Sequence, residues 1–288
     1  MKPQFIADYC CDTGEGPVWH EGEGRLYWTD IPSKRVFRYD PKSGLHEQCL
    51  HGRLVSGMTV QTDGSFVIFG ENGSIAHWNG RVVDTLIAEI PDERGTRFND
   101  VAVDPVGRIF CGTMPSPNHP GRLYLLDLDG KMNVVIEGVK IPNGIGFTGN
   151  KSTMYFCESA PGIIHAFDYH ASTGTLTNQR QFATVDKTDG SPDGLTVDAD
   201  DYVWSARWDG SCIVRYSPDG GIDLIIEFPV PKVSSLTFGG PNYRDLYITT
   251  AGGHQKNVDG PLAGTLFVIK GAGQGRPDYL SNIVKQPS

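Results

Sequence analysis

Six polar residues recur at one phase of this chain and together could hold a cation: Glu15, Ser56, Asn99, Asn143, Asp193 and Ser234. Each stands four residues ahead of the second apolar residue of a strand-like run (Trp19, Val60, Val103, Phe147, Val197, Phe238), at intervals of 41, 43, 44, 50 and 41 residues. All six side chains offer oxygen. Two carboxylates and two amides, with no Lys or Arg at the equivalent positions, suit a hard divalent cation that takes oxygen ligands. Met once, an Asp, Asn or Ser before a strand is an ordinary turn former. The shared phase is what makes a site of them, and Ser191-Pro192-Asp193-Gly194-Leu195-Thr196-Val197-Asp198 is its clearest instance: a carboxylate on a Pro/Gly turn directly before an alternating strand.

The elements that would position these residues are repeats with a period of roughly 40 to 45 residues, the signature of a propeller whose blades cannot bury their faces alone. Pro17-Val18-Trp19, Arg25 to Asp30 and Arg35 to Asp40 make the first repeat, and five further repeats follow the same grammar. Each run is rich in β-branched and aromatic residues and is bounded by Gly, Pro, Asn or Asp. The 288 residues give 48 per repeat for six repeats. An all-β, six-bladed β-propeller is expected, one domain over residues 1–288, with a metal site at one mouth of the central channel. Ring closure normally borrows from both chain ends, and Gln4-Phe5-Ile6-Ala7 is the expected closing strand. In this fold the innermost strand of each blade lines the channel, so residues equivalent in phase ring one mouth.

Composition agrees and narrows the function classes. The 36 Gly, 19 Pro and 20% charged residues suit short strands and tight turns, and 39% hydrophobic residues supply a core. A net charge of −9, with Lys and Arg scattered, removes the basic footprint that nucleic-acid binding needs. No apolar run approaches a membrane span, and the chain reads as cytoplasmic. The six cysteines (Cys10, Cys11, Cys49, Cys111, Cys157, Cys212) show no metal-type spacing and read as reduced thiols, mostly inside apolar strands. Gly271-Ala272-Gly273-Gln274-Gly275 lacks a following helix and reads as a turn rather than a phosphate loop.

Gly14-Glu15-Gly16-Pro17, Arg97-Phe98-Asn99-Asp100, Gly112-Thr113-Met114, Pro142-Asn143-Gly144, Pro192-Asp193-Gly194 and Phe238-Gly239-Gly240 resemble, in order and over nearly the whole chain, the motif series of the SMP-30/regucalcin/gluconolactonase (LRE-like) family. The resemblance implies a six-bladed propeller that hydrolyses a small-molecule sugar lactone with one divalent cation (Ca, Mg, Mn, Zn or Fe). It implies metal ligands at Glu15, Asn143 and Asp193 and substrate contacts at Arg97 and Asn99. Asp193 is then expected to serve as general base as well as ligand. No nucleic acid or membrane partner is expected, and the chain should be a monomer or weak homodimer.

Two departures from the family bear on the substrate rather than the reaction. An acidic residue that follows the Gly-Thr-Met motif in regucalcin-like members is replaced by Pro115-Ser116-Pro117-Asn118-His119, and the usual Asp-Ser is Glu158-Ser159. Arg207-Trp208 reads as a candidate substrate contact on a channel-side turn, and Asp186 to Ser191 as part of a lid. His20, His119 and His254 show no catalytic partner spacing, and Arg97 has an alternative as an ion-pair partner of Asp100 or Asp104. The competing functions are a phosphotriesterase-like hydrolase on the same metal site and a non-enzymatic propeller that binds a ligand or protein.

Overall fold

A computed structural model describes residues 1–283. These residues form six four-stranded antiparallel sheets, each winding outward from an inner strand. The inner strands are Gly14–His20, Gly57–Val60, Phe98–Val103, Pro142–Phe147, Ser191–Val197 and Val233–Gly239, and successive ones lie side by side around the ring. The sixth sheet is completed by the first strand of the chain. Gln4–Asp8 pairs antiparallel with Thr265–Ile269, matching Gln4 to Val268 and Asp8 to Thr265. The expected closing strand is therefore in place, and the ring is shut by hydrogen bonds between residues from its two ends.

An aromatic contact crosses every junction between blades. Going round from the first blade these are Tyr27 with Trp78, Phe69 with Phe98, Phe110 with Phe147, Phe182 with Tyr216, Trp204 with Phe238 and Tyr247 with Trp19, all with ring centroids 5.2 to 6.3 Å apart. Offset or edge-on pairs of this kind contribute about 0.5–1.5 kcal/mol each beyond the apolar area they bury. Blade faces that would be sticky alone thus become the core.

The outermost strands behave differently. His46–His51, Met132–Val139 and Thr175–Thr184 are largely solvent-facing, with polar residues on both faces. The longer fourth repeat is explained mainly by its two outer strands, Ile163–His170 and Thr175–Thr184, of 8 and 10 residues. At the mouth, Asp186 to Ser191 adds only a single 3₁₀ turn, Lys187–Asp189.

Bulges open the inner strands where the polar residues sit. Register shifts fall between Glu15 and Val18, Phe98 and Val101, Asn143 and Ile145, Pro192 and Leu195, and Val233 and Ser235, whereas the second blade pairs regularly. A bulge bends its strand and re-aims a side chain. In the fourth and fifth blades the residue after the polar position is forced to be glycine because inner strands crowd at the axis. A Cβ on Gly144 would lie 2.3 Å from the Leu195 nitrogen, and one on Gly194 would lie 2.1 Å from Ser235 Oγ.

The far end of the channel is crossed by the C-terminal segment, which begins in the glycine-rich stretch and contains no helix. It runs from the fifth and sixth blades across to the second and third. Gly275 N donates to Tyr243 O, Ala199 N to Gln274 O, Asn282 N to Gly107 O and Ser281 N to Val60 O, at 2.7 to 3.0 Å. Tyr279 adds an edge-on contact with Phe147, 6.4 Å between centroids. This strap links the sixth, fifth, fourth, third and second blades. No helix among the described residues is long and apolar enough to cross a membrane.

Candidate functional site

Each inner strand starts at the same mouth, so the second or third residue of a strand arrives there whatever its place in the chain. Glu15, Asn99, Asn143 and Asp193 all meet this condition, and all are buried. Direct hydrogen bonds tie the middle of the set together. Asn99 Nδ2 donates to Asn143 Oδ1 at 2.7 Å and to Pro142 O at 2.8 Å, while Arg97 Nη1 donates to Asn99 Oδ1 at 2.6 Å and to Phe98 O at 2.8 Å. Asn143 Nδ2 in turn donates to Ser159 Oγ at 2.7 Å.

The serines of the phase series do not join this set. Ser234 Oγ donates to Gly14 O at 2.5 Å and lies 3.0 Å from Thr249 Oγ1, and the Ser56 hydroxyl is buried with no hydrogen-bond partner among the described residues. Convergence of six oxygen donors is thus corrected to four. The reason is local: Ser56 precedes the only inner strand without a bulge, and Ser234 caps the neighbouring backbone.

The electrostatics are those of an uncompensated anion site. Glu15 accepts only from its neighbour Gly16 N, at 3.0 Å, and neither Glu15 nor Asp193 forms an ion pair among the described residues. Burial first, and repulsion from Asp193 and Asp100 second, hold Glu15 well above the usual carboxylate range. Burial and repulsion from Asp100 do the same to Asp193. Asp100 itself is pushed up to about 7 by burial. The three carboxylates share the nearby guanidinium of Arg97, with Arg207 also acting on Asp193, and Arg97 is bonded to a backbone carbonyl and an amide rather than to any of them. Among the described residues no three His, Cys, Asp or Glu side chains stand together as a metal cluster. A cation at this mouth would need a mixed set in which an amide oxygen makes up the number, which is what Asn143 can supply.

Asp100 is a site residue that the phase series missed. It occupies the position held by Gly16, Gly57, Gly144 and Gly194 in other blades, and its side chain lines a channel cavity of about 160 Å³ that extends to Thr237 and Asp278 at the strap. The signal was an acidic residue where crowding elsewhere demands glycine. Ser159 was likewise visible only as half of a departure from the family motif.

Several candidates turn out to be engaged elsewhere. Arg207 is 1% exposed; it donates to Ser205 Oγ, Ala206 O and the Tyr216 hydroxyl, and stacks over the Tyr216 ring, so it is not a substrate contact. Glu158 accepts from Lys140 N at 2.9 Å and lies 3.6 Å from His165, which holds its carboxyl below the ordinary range. It faces a side pocket between the third and fourth blades rather than the channel. His119 places its two ring nitrogens 2.7 Å from Pro120 O and 2.5 Å from Asp92 O, clipping one mouth loop to another. His254 pairs with Asp12, and His20 lies 2.9 Å from Gly64 O at the strap end. Asp104, the alternative partner of Arg97, is taken by Arg108 at 2.7 Å. All six cysteines are free; Cys11, Cys111 and Cys157 are buried, and Cys10 is exposed.

A closed six-bladed propeller with buried oxygen donors converging at one channel mouth defines the structural class. Within that class, residues 13–252 match the model of the SMP-30/Gluconolactonase/LRE-like region, and the chain belongs to that family. Pentonolactonase XacC of Haloferax volcanii is 43% identical over 293 residues, covering 98% of this chain and 99% of its own. Regucalcin of Sus scrofa is 32% identical over 292 residues, covering 97% and 98%. Among solved structures, a luciferin-regenerating enzyme superposes with a TM-score of 0.89 at 28% identity, over 98% of this chain and 99% of the other.

Proposed function

We propose that the protein hydrolyses the ring ester of a sugar lactone, using one divalent cation held by Glu15, Asn143 and Asp193. The observation that carries this reading is the pair of buried carboxylates at one mouth, Glu15 and Asp193, raised by burial and by repulsion within the set they form with Asp100, and without an ion-pair partner among the described residues. Membership of a family that includes a pentonolactonase supports the substrate class. A divalent cation at such a site supplies Lewis acidity, polarising a carbonyl oxygen and lowering the pKa of nearby water.

Residues of the chain do the rest. Arg97 spends Nη1 on Phe98 O and Asn99 Oδ1, leaving its other donors for a substrate hydroxyl or carbonyl. Both donors of Asn99 are used, so what it offers substrate is the second lone pair of Oδ1, an acceptor for a hydroxyl. Asp193 takes a proton from water as that water's oxygen bonds to the lactone carbonyl carbon. The bond from that carbon to the ring oxygen then breaks, and Asp193 returns the proton to the departing ring oxygen, giving the open hydroxy acid.

The decisive experiment follows ring opening of five- and six-membered aldonolactones before and after metal removal. Chelation is expected to abolish turnover, and a divalent cation to restore it. Full turnover by protein shown by elemental analysis to be metal-free would sink the reading.

A further inference from the structure

Ser159 follows directly on the strand Thr153–Glu158 and is 7% exposed. Its hydroxyl has one proton, which it donates to Pro192 O at 2.6 Å. A carbonyl can only accept, so Ser159 Oγ is left as an acceptor, and the group of Asn143 that faces it at 2.7 Å has to be the NH₂. That turns Asn143 Oδ1 to the other side, where Asn99 Nδ2 meets it. Asn99 is fixed by the same logic, because Pro142 O can only accept from it and Arg97 can only donate to it. From Arg97 through Asn99, Asn143 and Ser159 to Pro192, every donor points the same way. The direction is imposed by a pure donor at one end and a pure acceptor at the other.

We infer that Ser159 is a positioning residue that orients the Asn143 amide so that its oxygen, not its NH₂, serves the cation. The same hydroxyl ties Asn143 to the strand that carries Asp193, since Pro192 directly precedes it. This inference rests on the reading of Asn143 and Asp193 as ligands. Removing the hydroxyl would leave Pro192 O without this donor and Asn143 Nδ2 without its acceptor, so that Asn99 alone would hold the amide and its tie to the strand of Asp193 would be lost. Outer partners of this kind typically change metal affinity by about 10- to 100-fold.

The test titrates Mn²⁺ into metal-stripped wild type, Ser159→Ala, Ser159→Thr and Asp193→Asn, reading free Mn²⁺ by electron paramagnetic resonance, with Tm measured on each metal-free protein. Ser159→Ala is expected to bind about 10- to 100-fold more weakly, with a metal-free Tm only a few degrees below wild type and most of its kcat regained at saturating Mn²⁺. Ser159→Thr, which keeps the hydroxyl, is expected to bind like wild type. Wild-type affinity in Ser159→Ala overturns the role of Ser159 alone, as does a Ser159→Thr variant that folds but binds as weakly as Ser159→Ala. Failure of wild type to bind Mn²⁺ any better than Asp193→Asn overturns the metal reading and the role of Ser159 together.

Discussion

The two mouths of the channel are built from opposite ends of the same inner strands, and they treat their polar groups in opposite ways. At the far mouth, backbone groups of the strap pair with Val60, Gly107, Ala199 and Tyr243, and Arg276 Nη2 reaches both Ala199 O and Asp201, at 2.7 and 2.6 Å. Hydrogen-bonding capacity is spent there on holding blades together. At the near mouth Glu15 and Asp193 form no ion pair among the described residues, and the amides are ordered by a directed chain. Buried charge left unpaired is costly. The contrast teaches that hydrogen bonds brace the blades at one mouth, while the other keeps buried carboxylates that burial and repulsion make costly to ionise.

Breaking the near mouth should therefore remove activity and spare the fold. The largest effect is expected for Asp193→Asn, with kcat/KM for an aldonolactone falling by about 10²- to 10⁴-fold, the usual worth of a general base. Its metal-free Tm should not drop, because the substitution removes a repelled carboxylate. A large loss of Tm in this variant would blur the division between the two ends. Ending the chain at Ala272 attacks the other mouth: Tm should fall by roughly 5–10 °C, a loss of a few kcal/mol in a chain of this size, with Mn²⁺ affinity of the folded fraction within about threefold of wild type. An unchanged Tm would show that the strap does not brace the blades.

Arg97→Ala should raise KM by about 10- to 100-fold, the worth of one charge-assisted hydrogen bond, and lower kcat much less. An unchanged KM would remove Arg97 from the substrate. The smallest effect lies at the strap. Asp278, enclosed beneath the channel and lying 3.4 Å from Thr237 Oγ1, is pushed up to about 6 by burial. A folded pKa above the unfolded one means that the contribution of Asp278 to stability is present at acid pH and lost as pH rises through about 6. Asp278→Asn should match wild type in Tm near pH 4 and exceed it by a few degrees above pH 7. Equal values at both pH settings would mean that the carboxylate is well solvated.

Much of the fold could be read from the chain because its inner three strands per blade are buried and hence strongly patterned. Phe66–Phe69 and Ile109–Thr113 are buried throughout, and Gly/Pro/Asp turns punctuate them. The outer strands escaped because solvent on one or both faces erases that pattern, as in His46–His51. The strap escaped for a different reason. It is held by backbone hydrogen bonds, which any residue except proline can donate, so Gly273 to Ile283 carries no periodic signal. At the site, the donors Glu15, Asn99, Asn143 and Asp193 were legible through phase, which survives wherever blades are equivalent. Arg207 was misread because an arginine on a turn near the axis looks available until Tyr216 and Ser205 are seen to enclose it.

The sequence by itself determined the number of blades, the closing role of Gln4 to Ala7 and the family, since these depend on repeat spacing and on motifs that are local in the chain. Tertiary structure alone decided which polar residues meet. Ser234 shares the phase of Glu15 yet spends its hydroxyl on Gly14 O, and Ser56 makes no hydrogen bond to the set, while Asp100 and Ser159 lie outside the phase and adjoin these residues. Phase fixes where a backbone arrives; whether a side chain then faces the axis depends on a bulge, a neighbour's free acceptor and the crowding of strands that are distant in sequence.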